Sequence, residues 1–349
     1  MTSLDVFRTD FPIKRNFHLY ICAKTQISSP VLSVFILFLV LALAFANGAN
    51  ANFKGVASLF GSGTTDYRTA VRWATITTAA GCLMAVWGSG SLLSAFTGKG
   101  LVPVDLATDP RFQLAVAGGA GAANLMATRM GFPVSTTHLL LGGLLGAGLA
   151  ARPESVDFRK LWDGFARPLV AAPVLAIVAG SAVYALFRPL GLAPDHRTRN
   201  LDVLHFLSGG AVCFARGLND TAKMAALAVG GAGLGVKASM TLVLIAMAVG
   251  GLVSARRVAD TLAHKITGMD PGQGFVANLA TSALTTTASL HGLPVSTTHV
   301  SVGALLGIGI TTRQARWKTA LPVLLAWLIT LPAAALLSAF AWRCCAASR

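Results

Sequence analysis

Charge is scarce in this chain. Only 12% of its 349 residues are Asp, Glu, Lys or Arg, about half of the roughly 25% found in water-soluble domains. A soluble surface could not be covered with so few, so a soluble enzyme is excluded. Acidic residues are scarcer still, 13 against 28 basic ones, for a formal charge of +15. That excess would suit nucleic acid, but the basic residues are scattered through short gaps between apolar runs, and only three tyrosines are available for stacking. No nucleic-acid partner is expected. The five cysteines (Cys22, Cys82, Cys213, Cys344, Cys345) are odd in number and lack Cys-x-x-Cys spacing, against both a zinc site and a disulfide framework. What abounds is apolar: 54% of residues are hydrophobic. Positive loops beside apolar spans fit the positive-inside bias of a membrane protein.

Residues 1–27 form a polar, basic N-terminal segment with Arg8, Lys14, Arg15 and Lys24. The apolar run Val31 to Ala46 follows, and with its Ala-x-Ala spacings it imitates a secretory signal peptide. The polar leader is long and this run is the first of many, so it reads as a first membrane helix. Further apolar stretches lie near 70–96, 112–128, 132–150, 168–187, 203–215, 221–234, 238–255, 274–290, 294–310 and 319–342. A full span takes about 20 apolar residues. Several stretches are shorter or are broken by Gly and Pro, as in re-entrant hairpins and half-helices that survive only against protein or a polar cavity. The expectation is an all-α polytopic membrane protein with about eight to ten crossings plus broken pieces. The gaps at 97–111, 151–167, 188–202, 256–273 and 311–318 read as loops.

Two patterns each occur twice. Phe45-Ala46-Asn47-Gly48-Ala49-Asn50-Ala51-Asn52-Phe53-Lys54 returns 169 residues later as Phe214-Ala215-Arg216-Gly217-Leu218-Asn219-Asp220-Thr221-Ala222-Lys223. Pro133-Val134-Ser135-Thr136-Thr137-His138, followed by Gly142, Gly146 and Gly148, returns 161 residues later as Pro294-Val295-Ser296-Thr297-Thr298-His299, followed by Gly303, Gly307 and Gly309. The order is kept and the offsets nearly agree, which means a duplicated unit. The first repeat is placed at 28–200 and the second at 201–349. Duplicated halves with matching broken segments point to a secondary transporter whose site lies where the halves meet.

The Pro-Val-Ser-Thr-Thr-His element reads as a helix start, with Pro first and the hydroxyls in the first turn. Unpaired N–H groups, a positive helix end and hydroxyl donors make an anion site. Two copies could grip one oxyanion from two sides, while glycines four apart leave a flat face for close helix packing. Asp220 follows one apolar stretch and precedes another, placing it within membrane depth, where an aspartate costs roughly 2.5–3.5 kcal/mol and is usually functional. It can pair with a cation, with Arg216 or Lys223, or with a proton donated by the substrate. Phosphate at neutral pH has an ionisable hydroxyl and sulfate does not, so a carboxylate acceptor suits phosphate and repels a fully deprotonated anion. Asn50 and Asn219 both donate and accept, which suits a site for an anion and a cation together. Lys54 and Lys223 either balance anion charge or snorkel to the interface. His138 and His299 are read as making helix-orienting hydrogen bonds. An enzyme is not expected: each His lies only three residues after its Ser on one helix, and no Gly-x-Ser-x-Gly elbow occurs.

At these residues the sequence resembles the inorganic phosphate transporter (PiT) family, whose signature is a twofold Gly-Ala-Asn-Asp-like motif, each followed by Pro-(Val/Ile)-Ser-Thr-Thr-His. The match runs from about residue 31 to 342. The resemblance implies inverted repeats with re-entrant hairpins, cation-coupled (Na⁺ or H⁺) uptake of inorganic phosphate by alternating access, and a homodimer in the cell membrane. By position it implies phosphate contacts at Asn50, Ser135, Thr136, Thr137, Asn219, Asp220, Ser296, Thr297 and Thr298. Cation contacts are assigned to Asn47, Asn50, Asn219 and Asp220, and no cofactor or metal is expected beyond a bound Na⁺. One departure stands out: Ala51 occupies the place of the first motif's aspartate, leaving Asp220 alone of the acidic pair. The gap keeps open a sulfate or other oxyanion permease of the same fold, or an uncoupled anion channel or receptor.

Overall fold

The computed structural model of the protein describes residues 29–190, 198–265, 270–315 and 317–347. The basic N-terminal segment, 1–27, lies outside the described residues. Ten long helices dominate the described chain and fall into two sets of five. The first set is α1 (Pro30–Ala51), α2 (Tyr67–Gly88), α3 (Pro110–Arg129), α4 (Thr136–Ala151) and α5 (Arg167–Phe187). The second is α6 (Arg199–Gly231), α7 (Val236–Ser254), α8 (Pro271–Leu290), α9 (Thr297–Thr311) and α10 (Trp317–Ala347). No strand occurs among the described residues.

Local chemistry sets the helix ends, and it repeats between the sets. Asp109 and Asp270 accept from the amides of Arg111 and Gln273, each at 2.8 Å, with Pro110 and Pro271 in the next position. This is the favoured order of a capping carboxylate and a proline that needs no N–H partner. At the other end, Gly131 and Gly292 adopt φ of 75° and 70°. The Gly131 N–H bonds the Thr128 carbonyl and the Phe132 N–H the Ala127 carbonyl; Gly292 to Ser289 and Leu293 to Ala288 do the same. Both are Schellman closures, in which glycine avoids a left-handed Cβ clash. Each ends one arm of a helical hairpin, α3–α4 or α8–α9. On the exposed end of α2, the hydroxyl and amide of Thr69 hold the capping Asp66 carboxyl below the usual carboxylate range.

The sets interlock reciprocally. Gly48 of α1 backs onto the Met247 carbonyl of α7, while its equivalent Gly217 of α6 backs onto the Thr78 carbonyl of α2. The glycines after the second motif behave alike. Gly142 and Gly146 of α4 face the Leu331 and Ala335 carbonyls of α10, and Gly303 and Gly307 of α9 face those of Pro173 and Ile177 of α5. Each hairpin therefore leans on a helix of the other set, through the flat glycine face expected from the sequence.

Five helical segments among the described residues are long and apolar enough to cross a membrane: Pro30–Ala51, Phe158–Leu190, Arg199–Gly231, Val236–Ser254 and Leu324–Ala347. That is fewer than the eight to ten expected, and two features account for part of the difference. The stretches 132–150 and 294–310 form helices of only 16 and 15 residues, about 24 and 22 Å at 1.5 Å per residue, short of a bilayer core of about 30 Å. The stretches 203–215 and 221–234, separate in the sequence reading, form one helix of 33 residues. Its polar middle does not break it, because Arg216, Asn219, Asp220 and Lys223 are buried among partners supplied by other helices. Outward faces expose Phe38, Trp87, Val178, Leu328 and Leu336, the reverse of a soluble surface. The protein is a multi-pass integral membrane protein.

Because the Gly307 position abuts the Ile177 carbonyl, Gly307→Val overpacks the α5–α9 contact, at a cost of about 1–3 kcal/mol. The thermal midpoint of the detergent-purified variant should fall below that of Gly90→Ala, a position with open space around it.

A buried site shared by the two repeats

The first motif lies at different places in its two copies. Residues Asn47–Ala51 form the last turns of α1, with Lys54 in the turn that follows, whereas Arg216–Lys223 sit inside α6. The second motif opens α4 and α9, three residues later than the sequence reading placed it. Pro133 and Pro294 precede the helices, and Ser135 and Ser296 are the N-caps, accepting from the amides of His138 (3.2 Å) and His299 (3.3 Å). Serine wins the boundary because its side chain satisfies a first-turn N–H, which proline cannot do. The hydroxyls of Ser135 and Ser296 are thus tied to their own helix starts. Thr136, Thr137, Thr297 and Thr298 form the first turns, all buried.

These pieces meet in one hydrogen-bonded cluster, built twice. Lys54 Nζ donates to the Val134 carbonyl (2.7 Å) and to Thr298 Oγ1 (2.5 Å). Lys223 Nζ donates to the Val295 carbonyl (2.9 Å) and to Thr137 Oγ1 (2.7 Å). Each lysine thus grips the second motif of both repeats. The two threonines cross as well, Thr137 donating to the Val295 carbonyl (2.8 Å) and Thr298 to that of Val134 (3.1 Å). Asn50 donates to Thr128 Oγ1 and the Phe132 carbonyl and accepts the Val134 N–H at 2.9 Å. Asn219 donates to the Val295 carbonyl (3.3 Å) and accepts from Ser289 Oγ (3.2 Å). The positive ends of α4 and α9 meet in this cluster.

Asp220 is 2% exposed and Lys223 is fully buried. Asp220 Oδ1 lies 3.5 Å from Lys223 Nζ and 3.3 Å from Asn219 Nδ2; its Oδ2 accepts from Asn47 Nδ2 at 3.2 Å. Asn47 Nδ2 also reaches Thr136 Oγ1. Of the predicted site residues, Asn47, Asn50, Thr136, Thr137, Asn219, Asp220 and Thr298 join this cluster directly. Thr297 lies at its edge as the first residue of α9, and the two serines support it as caps.

Three sequence readings change. Lys54 and Lys223 do not snorkel; both are buried and tied to carbonyls and hydroxyls, as scarce burial of lysine requires. The helix-orienting hydrogen bonds expected of His138 and His299 are not seen at His138 Nδ1 or at either ring nitrogen of His299 among the described residues. Their rings pack at 4.4 Å between centroids, and His299 stacks on Trp327 at 3.8 Å. Arg216, weighed in the sequence only as a partner for Asp220, is 1% exposed and bonds Asn47 Oδ1 (3.1 Å), Asn52 Oδ1 (3.4 Å) and Thr78 Oγ1 (3.3 Å) instead. Sequence reasoning also missed Thr128 and Ser289, the equivalent hydroxyls that hold the two asparagines. Their shared spacing of 161 residues carried that signal. From the cluster a crevice leads along α9, lined by Lys54, Ser58, Asn278, Thr298 and Ser301.

Interlocked repeats around a buried, donor-rich cluster between hairpin tips define a membrane transporter rather than an enzyme. Residues 47–202 and 192–338 match the phosphate transporter family, each segment holding one copy of the Asn and Ser-Thr-Thr-His elements, and the chain belongs to that family. It is 34% identical over 264 residues to a "Probable low-affinity inorganic phosphate transporter" of Rhizobium meliloti (strain 1021), covering 70% of this chain and 77% of that one. A protein of the same description from Bacillus subtilis (strain 168) is 27% identical over 328 residues, 89% of this chain and 96% of its own. Among solved structures, one described as "The sodium-dependent phosphate transporter" superimposes with a TM-score of 0.80 at 22% identity, over 91% of this chain and 99% of that one. The fold is shared.

Replacing the hydroxyl that receives a buried ammonium leaves that charge short of a partner. Thr298→Val and Thr137→Val should each lower unfolding stability by about 1.5–3 kcal/mol, the range for hydrogen bonds to charged groups. Thr297→Val removes no such acceptor and should shift the denaturation midpoint less.

Proposed function

We propose that the protein carries inorganic phosphate across the membrane, coupled to Na⁺ or H⁺, with the crossed lysine–threonine cluster as its binding site. The observation that carries this reading is the charge of the cluster. Among the described residues, Lys54, Arg216 and Lys223 are buried together with the Asp220 carboxylate, a formal excess of two positive charges. Uncompensated buried charge costs several kcal/mol per ion, and an anion of charge −2 at this place removes the cost. Hydrogen phosphate has that charge. Backbone N–H groups of the first turns of α4 and α9, with the hydroxyls of Thr136, Thr137, Thr297 and Thr298, supply donors for its oxygens.

Sulfate carries the same charge, and Asp220 separates the two. Its carboxylate faces the amide donors of Asn47 and Asn219 and the Lys223 ammonium. Toward an anion with a hydroxyl it accepts a hydrogen bond; toward one without, it presents an unpaired like charge. Asp220, with the carbonyl oxygens of Asn47, Asn50 and Asn219, is also where a cation or proton is taken up. The reciprocal interlock supports alternating access, one repeat rocking against the other around a fixed site.

Proteoliposomes should accumulate labelled phosphate uphill when a sodium or proton gradient is imposed, and excess sulfate should compete weakly. Strong competition by sulfate transfers the assignment to a general divalent-oxyanion permease, and equilibration without accumulation to a channel. Asp220→Asn should abolish uptake while membrane expression persists; transport like that of the wild type would remove Asp220 from the mechanism.

A further inference from the structure

Exchanging the repeats pairs Asn47 with Arg216 and Ala51 with Asp220, since each pair is 169 residues apart. On one side, Asn47 Nδ2 meets the Asp220 carboxylate. Its image, residue 216 meeting a carboxylate at residue 51, does not exist, because both members differ. Residue 51 has lost its charge, and residue 216 has gained a fixed positive one. The Arg216 guanidinium lies among three neutral oxygens, Asn47 Oδ1, Asn52 Oδ1 and Thr78 Oγ1, at 3.1–3.4 Å. Among the described residues its Nε has no hydrogen-bond partner and it forms no ion pair. A buried guanidinium is normally held by a carboxylate in a bidentate pair. Here uncharged side-chain oxygens surround it, the donor set that otherwise binds a small hard cation.

We infer that Arg216 is a tethered counter-cation: its guanidinium takes the place of one mobile cation, so this chain binds its divalent oxyanion together with at most one cation, at Asp220. The inference rests on the phosphate reading above and deepens it. The charges agree. A carboxylate with a mobile cation adds nothing to the cluster, whereas alanine with arginine adds one positive charge. That added charge helps balance a dianion without an ion drawn from solution. Asp220 has Lys223 at 3.5 Å as a fixed partner, so it too is compensated before any cation arrives. The neighbours of Arg216 hold it in place. Thr78 Oγ1 donates to Asn52 Oδ1 at 3.3 Å and Asn52 Nδ2 to Thr75 Oγ1 at 2.8 Å, so its acceptors are themselves anchored on α2.

Binding of labelled phosphate to the purified full-length protein, with choline replacing sodium at constant ionic strength, tests this. Each cation bound with the anion makes the apparent Kd rise tenfold for a tenfold fall in sodium below saturation. For the wild type the rise should be no more than tenfold, and for the double variant Ala51→Asp/Arg216→Asn it should approach a further tenfold. A hundredfold rise in the wild type overturns the inference while leaving the phosphate reading intact, and so does a double variant that binds phosphate with the wild-type sodium dependence. Wild-type protein that binds no phosphate at any sodium concentration defeats the phosphate reading and the inference with it. Should the double variant fail to purify as a monodisperse protein, the wild-type dependence alone decides.

Discussion

Three basic side chains and one carboxylate are buried together between the helices, and much of the architecture follows from keeping them there. Lysine is among the residues least often fully buried, and a charge deprived of partners in such a place neutralises or unfolds its surroundings. Here the partners of Lys54 and Lys223 come from both repeats at once, a carbonyl from one hairpin and a threonine hydroxyl from the other. Neither repeat alone could bury its own lysine. The glycine contacts belong to the same requirement, because the helices must approach to backbone distance before these short bonds can form.

The hairpins are short for a related reason. A helix ending halfway into a membrane exposes four N–H groups that lipid cannot satisfy. In α4 and α9 the ends are turned inward, capped by Ser135 and Ser296, and placed beside the ends of their counterparts. The Schellman closures at Gly131 and Gly292 satisfy the carbonyls of the facing arms. These four helix ends are thus tied or aimed at the site.

Much of this was legible in the sequence. The two doubled motifs gave the repeat, and the pairing of prolines with hydroxyls gave the helix starts to within three residues. The low charge content gave the membrane setting. What the pattern left hidden was contact across the repeats. Asn219 and Asp220 read as an interruption in α6 because polarity in an apolar run looks like a break; tertiary partners let the helix run through them. The Lys54 and Lys223 readings stayed open because the acceptors come from residues 80 and 244 positions away in one case and 86 and 72 in the other. Arg216 was visible as a basic residue in a repeated motif, but its engagement with Asn47, Asn52 and Thr78 depends on how α1, α2 and α6 cross.

The mismatch at residues 51 and 216 has a bearing on resting orientation. Were two inverted repeats identical, the states open to either side of the bilayer would be related by a twofold rotation and equal in free energy, each half occupied. Any preference for facing one compartment can therefore arise only from residues that differ between the copies, or from differences between the two membrane faces. Ala51 opposite Asp220, and Asn47 opposite Arg216, are charged differences between fully buried positions, where the dielectric is low and a single charge weighs most. On the alternating-access reading proposed above, they would give the empty carrier an inherent bias toward one face.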